Sequence, residues 1–246
     1  MRANYRDELS KFTQDLLIMG DYVQSMMAGA TQALLTANLA QAEQVLSRID
    51  NIEDLRDKAE SAAFSILALE APVAGELRRI VSGLYIVESL ARMGALAVHV
   101  AKIARRRHPS NAVPENVRPY IAEMARLDLE ICGKIHEILI DTDATKAMEV
   151  ARDDDAVDDL HHHIFHLTTQ RPWSHSTTAA VDLTLLSRFL ERFSDHAVDI
   201  AARVVYMVTG MQPNQYQAAQ QTREQNEAVR QQFDEISRRY QGSPFD

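Results

Sequence analysis

Two twelve-residue stretches one hundred positions apart carry nearly the same pattern, and that duplication constrains the fold more than any other feature. Leu90-Ala91-Arg92-Met93-Gly94-Ala95-Leu96-Ala97-Val98-His99-Val100-Ala101 and Leu190-Glu191-Arg192-Phe193-Ser194-Asp195-His196-Ala197-Val198-Asp199-Ile200-Ala201 share leucine, arginine, alanine, valine and the closing alanine at an offset of 100. Pro72 and Pro172 keep the same offset. Upstream, Asp50-Asn51-Ile52-Glu53-Asp54-Leu55 echoes Asp155-Ala156-Val157-Asp158-Asp159-Leu160 at an offset of 105, a change that a five-residue difference in hairpin length accounts for. A chain written twice reuses one packing unit twice.

The unit is helical. Leu9, Phe12, Leu16, Met19, Val23, Met26, Ala30 and Leu34 are spaced three and four apart, which lays one apolar seam along a helix over roughly residues 4 to 37. A second helix is expected from about Leu39 to Leu69, ending at Ala71-Pro72, because proline disfavours helical geometry in the residue before it. A third runs from after Pro72 to Arg105, closing on Lys102, Arg105, Arg106 and Arg107, cations that complement the negative end of the helix dipole. Tyr120, Met124, Leu127, Ile131, Ile135 and Ile138 mark the fourth seam. The fifth helix runs from about Ala144 to Thr169, closed by Gln170-Arg171-Pro172-Trp173, and the sixth ends near Gly210. The expected fold is all-α: a tandem repeat of two three-helix bundles built from six long antiparallel helices.

One breaker cluster interrupts the interior, His108-Pro109-Ser110-Asn111-Ala112-Val113-Pro114-Glu115-Asn116. The expected divisions are a first bundle at 1–108, a linker at 109–116, a second bundle at 117–211 and a polar tail at 212–246. In that tail Val229, Phe233, Ile236 and Tyr240 keep helical spacing, which suits either a short amphipathic helix or a frayed end.

Charge and cysteine content narrow the function classes. Lys and Arg number 26 against 35 Asp and Glu, a net charge of −9, which disfavours nucleic acid and anionic lipid as partners. The lone Cys132 excludes an intramolecular disulfide and a cysteine-built metal site. The first residues are charged and lack a signal-peptide apolar region, and the longest uncharged run, Tyr22 to Ala42, is too polar to span a bilayer. A cytoplasmic protein with no direct membrane insertion is expected.

Chemistry concentrates on the sixth helix. Glu191, Asp195 and Asp199 recur every fourth residue. Each such step advances about 6 Å and drifts by about 40°, so the three carboxylates form a ladder on one side. The apolar face is centred near Phe193, Ala197, Ile200 and Val204, with the ladder expected on the far side. With the hairpin centred near residue 172, Asp154 falls level with Glu191 and Asp158 with about Ser187. Asp154, Asp155 and Asp158 then reach the neighbourhood of the ladder. An oxygen-only cluster suits hard cations such as Fe³⁺, Mn²⁺, Mg²⁺ or Ca²⁺. His161 and His163 lie a turn or two beyond, where packing roles are commoner than ligation. Spacing alone leaves two readings open: a cation site, or a solvated face neutralised by Arg188, Arg192 and Arg203 through exposed pairs worth about 0.3–0.5 kcal/mol each. In the first copy Ala91, Ala95 and His99 stand at the ladder positions, so no ladder exists there.

No glycine-rich phosphate loop, no Gly-x-Ser-x-Gly and no pair of Glu-x-x-His motifs is present. Asp158-x-x-His161 stands alone as the nearest approach to a di-iron motif, which leaves a carboxylate-bridged metalloenzyme as the competing reading and a non-catalytic protein as the favoured one.

These residues resemble the PhoU family of bacterial phosphate-signalling adaptors. Leu190-Glu191-Arg192-Phe193-Ser194-Asp195, followed by Ala197-Val198-Asp199-Ile200-Ala201, is similar to the family's Leu-Glu-Arg-Ile-Gly-Asp and Ala-x-Asn-Ile-Ala, and Ala71-Pro72-Val73-Ala74-Gly75-Glu76-Leu77-Arg78 to its Gln-Pro-Val-Ala-x-Asp-Leu-Arg. Asp50-x-x-Glu53 and Asp155-x-x-Asp158 resemble its second-helix acids. The resemblance implies a cytoplasmic, often dimeric helical protein that holds metal clusters (iron, zinc, manganese or another divalent or trivalent cation). It also implies two partners, the ATPase subunit of the phosphate ABC transporter and the sensor histidine kinase of the phosphate two-component system. The implied function is negative regulation of phosphate uptake and phosphate-starvation signalling. Loss of both acids at Ala91 and Ala95 confines the expected metal site to the second repeat.

Overall fold

Ala37 and Thr142 both adopt left-handed backbone, with φ of 51° and 50°, and each closes the first helix of a bundle. In each case the next residue caps the following helix: Asn38 Oδ1 accepts from the Gln41 N–H, and Asp143 Oδ1 from those of Thr145 and Lys146. One turn device thus occurs twice, at the 105-residue offset. A computed structural model of the chain describes residues 2–170 and 173–241. Its elements are α1 (Arg2–Thr36), α2 (Leu39–Leu46), α3 (Ile49–Glu70), α4 (Gly75–Arg107), α5 (Arg118–Asp141), α6 (Ala144–Thr169), α7 (Thr177–Thr209) and α8 (Pro213–Gln241).

Helices α1, α2–α3 and α4 form one bundle and α5, α6 and α7 the other, so the fold is the expected all-α tandem of three-helix bundles. The expected second helix is broken at Ser47 and Arg48. Ser47 Oγ donates to the Gln44 carbonyl, a local bond that competes with the helical ladder and lets the chain turn between α2 and α3. The tail carries α8, whose Tyr216 hydroxyl meets Thr145 at 3.2 Å; further on, Val229 and Phe233 are exposed. The side chains of Ile236 and Tyr240, Pro172 with its match to Pro72, and the Arg171-Pro172 part of the expected closure lie outside the described residues.

The bundles share one core, with α4 against α7 at its centre. Contacts along this seam run in opposite directions on the two helices: Arg107 and Arg106 bind Asp182, His99 stacks on Phe189 at 5.0 Å, Arg203 covers Tyr85 at 4.1 Å, and Arg78 donates to the Met207 carbonyl at 3.2 Å. α4 and α7 are therefore antiparallel. Asp182, 1% exposed, is neutralised by two guanidinium groups from the other bundle. The cations that close α4 thus do more than complement its dipole; they clamp the repeats together.

α4 is long and apolar enough to cross a membrane, a property that the longest uncharged run, lying upstream in α1 and α2, does not reveal. Of its most apolar window 56% is buried, and the helix packs against α1, α2, α3 and α7, so it is the central core helix. Gly83 lets it approach α1: a Cβ there would collide with the ring of the buried Phe12.

Two outcomes follow from this packing. Gly83→Ala destabilises the fold by about 1–3 kcal/mol through overpacking, and Phe12→Leu in the same chain recovers part of the loss in urea unfolding; simple additivity of the two changes would argue against the contact. Asp182→Ala lowers the calorimetric midpoint by more than Glu43→Ala, which breaks only the exposed pair to Arg105 at 3.6 Å; equal shifts would show that the clamp contributes nothing.

Candidate metal centre

α6 and α7 form an antiparallel hairpin whose register is read from His161 Nδ1 to Ser187 Oγ at 3.0 Å and Thr168 Oγ1 to Thr184 Oγ1 at 3.4 Å. That register is about one turn away from the one expected from residue numbers. His161, not Asp158, meets Ser187, and Asp154 faces Ser194. The cause is the connection: α6 ends at Thr169 and α7 begins at Thr177, which centres the hairpin beyond residue 172.

The shift still brings acids together. Asp154 faces Asp158, Asp195 and Asp155, while Glu191 faces Asp195 and Asp158. Burial first, then these neighbouring carboxylates, holds the pKa of Asp154 and of Glu191 above the usual carboxylate range. Glu191 is 8% exposed rather than on the far side of the apolar face, because α7 packs against α4, α5 and α6 and has little outer surface here. One Glu191 oxygen accepts from Arg188; the other, Oε2, has no hydrogen-bond partner, and neither has Asp154 Oδ1.

Two expected members stand apart. Asp155 is exposed beside Asp154, and Asp199, with 68% of its side chain exposed, lies 3.6 Å from His196 Nδ1. His161 is spent on Ser187, and His163 packs on Tyr120 at 4.7 Å. Burial, then Arg188, lowers the pKa of His161. Among the described residues no group of three or more His, Cys, Asp or Glu side chains stands ready to grip a metal ion together. The donors nevertheless suit a hard cation: they are all oxygen, they repel one another, and two buried oxygens are unpaired.

In the first bundle the corresponding recess is lined by Ile49, Ile52, Glu53, Arg56, Glu88, Ala91, Arg92 and Ala95. Arg92 is already paired with Glu88 at 2.8 Å and Arg56 with Asp57 at 3.1 Å. Sequence reasoning missed one acid in the second bundle. Asp128 sits on the α5 seam between Met124 and Ile131, wholly buried, where every third or fourth residue is otherwise apolar. Its place in that seam was the available signal.

Together these features define a duplicated helical-bundle scaffold with an acid-lined hairpin in one copy. The PhoU domain model matches residues 16–104 and again 121–204, and the chain belongs to the PhoU family. It is similar to the phosphate-specific transport system accessory protein PhoU homolog 2 of Mycobacterium tuberculosis, 50% identical over 213 residues that cover 87% of this chain and 100% of the relative. Homolog 1 of Mycobacterium leprae is 47% identical over 213 residues, covering 87% and 96%. Among solved structures, PhoU from Pseudomonas aeruginosa superimposes with a TM-score of 0.77 at 26% identity, covering 84% of this chain and 100% of that one.

Mutual repulsion in the hairpin has a measurable consequence. Asp195→Asn raises the thermal midpoint of chelator-treated protein at pH 7.5, because it removes a charge facing both Glu191 and Asp154. The gain shrinks as pH falls, since acids with raised pKa take up protons and relieve the same repulsion. A midpoint lowered at every pH would show that Asp195 is held by favourable contacts instead.

Proposed function

We propose that this protein is a cytoplasmic accessory protein of phosphate-specific transport and a negative regulator of phosphate uptake and phosphate-starvation signalling. It acts by contact, as an adaptor between the ATPase subunit of the phosphate ABC transporter and the sensor histidine kinase of the phosphate two-component system, and it works as a homodimer. The observation that carries this reading is the 50% identity, over the whole length of the relative, to a protein named for phosphate-specific transport. Both bundles also present exposed apolar side chains at corresponding places, Val81 and Tyr85 on α4, Val181 and Leu185 on α7, which suits a protein that works by contact.

In this reading the second repeat holds a metal ion, iron, zinc, manganese or another divalent or trivalent cation. Glu191, Asp195, Asp154 and Asp158 supply its central oxygens, with Asp155 and Asp199 at the margin. The ion supplies positive charge that ties α6 to α7 and so sets the shape of that end of the molecule for a partner.

Deleting the gene derepresses phosphate-responsive transcription in phosphate-rich medium, and tagged protein retains the transporter ATPase and the kinase in a pull-down; unchanged transcription would sink the regulatory reading. For the metal, Mn²⁺ raises the melting midpoint of chelator-treated wild type, and Glu191→Gln combined with Asp195→Asn abolishes that rise. A rise of equal size in the double variant would place the ion elsewhere.

A further inference from the structure

Asp128 has no role in the site described above, yet it is a wholly buried acid in the second bundle. It lies on α5, 0% exposed, with neither carboxylate oxygen hydrogen-bonded. A buried carboxylate without partners is strongly destabilising unless something compensates it. What it faces is Asp154 on α6, whose Oδ1 is likewise unpaired, and Asp154 in turn faces the buried Ser194 hydroxyl on α7, which lies near enough to favour the charged carboxylate but does not reach full hydrogen-bond geometry. Four orphaned oxygens from three helices thus lie in succession within one bundle.

The first bundle shows that this arrangement is not required by the fold. With the offset of 105 shared by the α1 and α5 turns, and 100 for α4 and α7, the counterparts of Asp128, Asp154 and Ser194 are Val23, Ile49 and Gly94. Val23 is fully buried and Ile49 packs against the core. The same three-helix junction is apolar in one copy and polar at all three positions in the other. Three polar residues at one buried junction form a single chemical unit, because each would be expensive alone.

We propose that Asp128, Asp154 and Ser194 form an inner cation site in the core of the second bundle, which takes one hard divalent cation. A divalent ion balances two carboxylates and gives all four oxygens a partner, whereas one shared proton plus the serine hydroxyl leaves an Asp128 oxygen unpaired. The nearby Cys132 stays out of the site as a thiol, since burial, then Asp128, pushes its pKa up. The inner site deepens the metal reading of the α6–α7 hairpin and rests on it through the shared Asp154. Asp154 bridges the two positions: it faces Asp128 inward and Asp158 and Asp195 outward.

The test uses full-length protein stripped with chelator, Mn²⁺ alone as probe, and manganese electron paramagnetic resonance to count bound ions per chain. Wild type binds at least two ions. Asp128→Asn loses one while the outer position still fills, and Glu191→Gln with Asp195→Asn keeps the inner ion. If the outer reading fails, that double variant binds as wild type while Asp128→Asn still loses an ion, which upholds the inner site by itself. Wild-type stoichiometry and affinity in Asp128→Asn would overturn the proposal, as would a wild type that binds no Mn²⁺. Because a change at a buried acid alters stability, Asp128→Leu supplies a second readout. By giving the junction the apolar character of the first bundle, it melts higher than stripped wild type and loses the part of the Mn²⁺ stabilisation due to the inner ion; a Mn²⁺ shift as large as in wild type would also overturn the proposal.

Discussion

The antiparallel packing of α4 against α7 is the constraint on which the rest depends. Neither helix belongs to one bundle alone, because each closes its own three-helix unit and also forms half of the joint. Their seam is held at one end by Arg106 and Arg107 around Asp182 and at the other by Arg78 on the Met207 carbonyl, with apolar and ring contacts between. With α7 buried on that side, the flank carrying Glu191 and Ser194 is turned toward α5 and α6, while Val181, Leu185 and Asp199 stay on the outer surface. That is why Glu191 and Ser194, which on an isolated helix would meet water, are buried against the acids of a neighbouring helix.

Much of the fold was legible because helices report themselves through spacing. The seam from Leu9 to Leu34, the breaker cluster at His108–Asn116 and the close at Gly210 are local signals, and each acts within a few residues of where it is written. The register of α6 on α7 was less legible, because it depends on how many residues the connection spends before α7 begins, and Ser176 capping the Ala179 N–H decides that. Asp128 was missed for a different reason. Periodicity identifies a buried position by its apolar neighbours, so a polar residue at such a position reads as an interruption until the packing shows where it points. The acids at 154, 158, 191 and 195 were identifiable as a group, whereas which of them faces inward depends on the third helix.

The two repeats keep a common backbone scheme while diverging in charge. The left-handed closures at Ala37 and Thr142 and the capping side chains after them are alike, so the turns match between repeats at the level of geometry. The recess at Ala91 and Ala95 lacks the two ladder acids, and although Glu53 and Glu88 still line it, its arginines are committed to neighbours on their own helices. A scaffold whose turns are fixed by local caps tolerates such change, since the packing of each bundle does not require charge at that junction.

Divergence in charge also gives the two three-helix junctions different physical character. In the first bundle the junction of three helices is formed by Val23, Ile49 and Gly94, and its packing is set by volume. In the second, the junction is filled by oxygens that repel one another, so its preferred separation depends on what charge is present between them. The apolar junction therefore carries no charge for a proton or a cation to compensate, whereas the acidic one does. α7 takes part in both interfaces, packing on α6 at the acidic hairpin and on α4 along the seam that ends at the Arg107–Asp182 clamp.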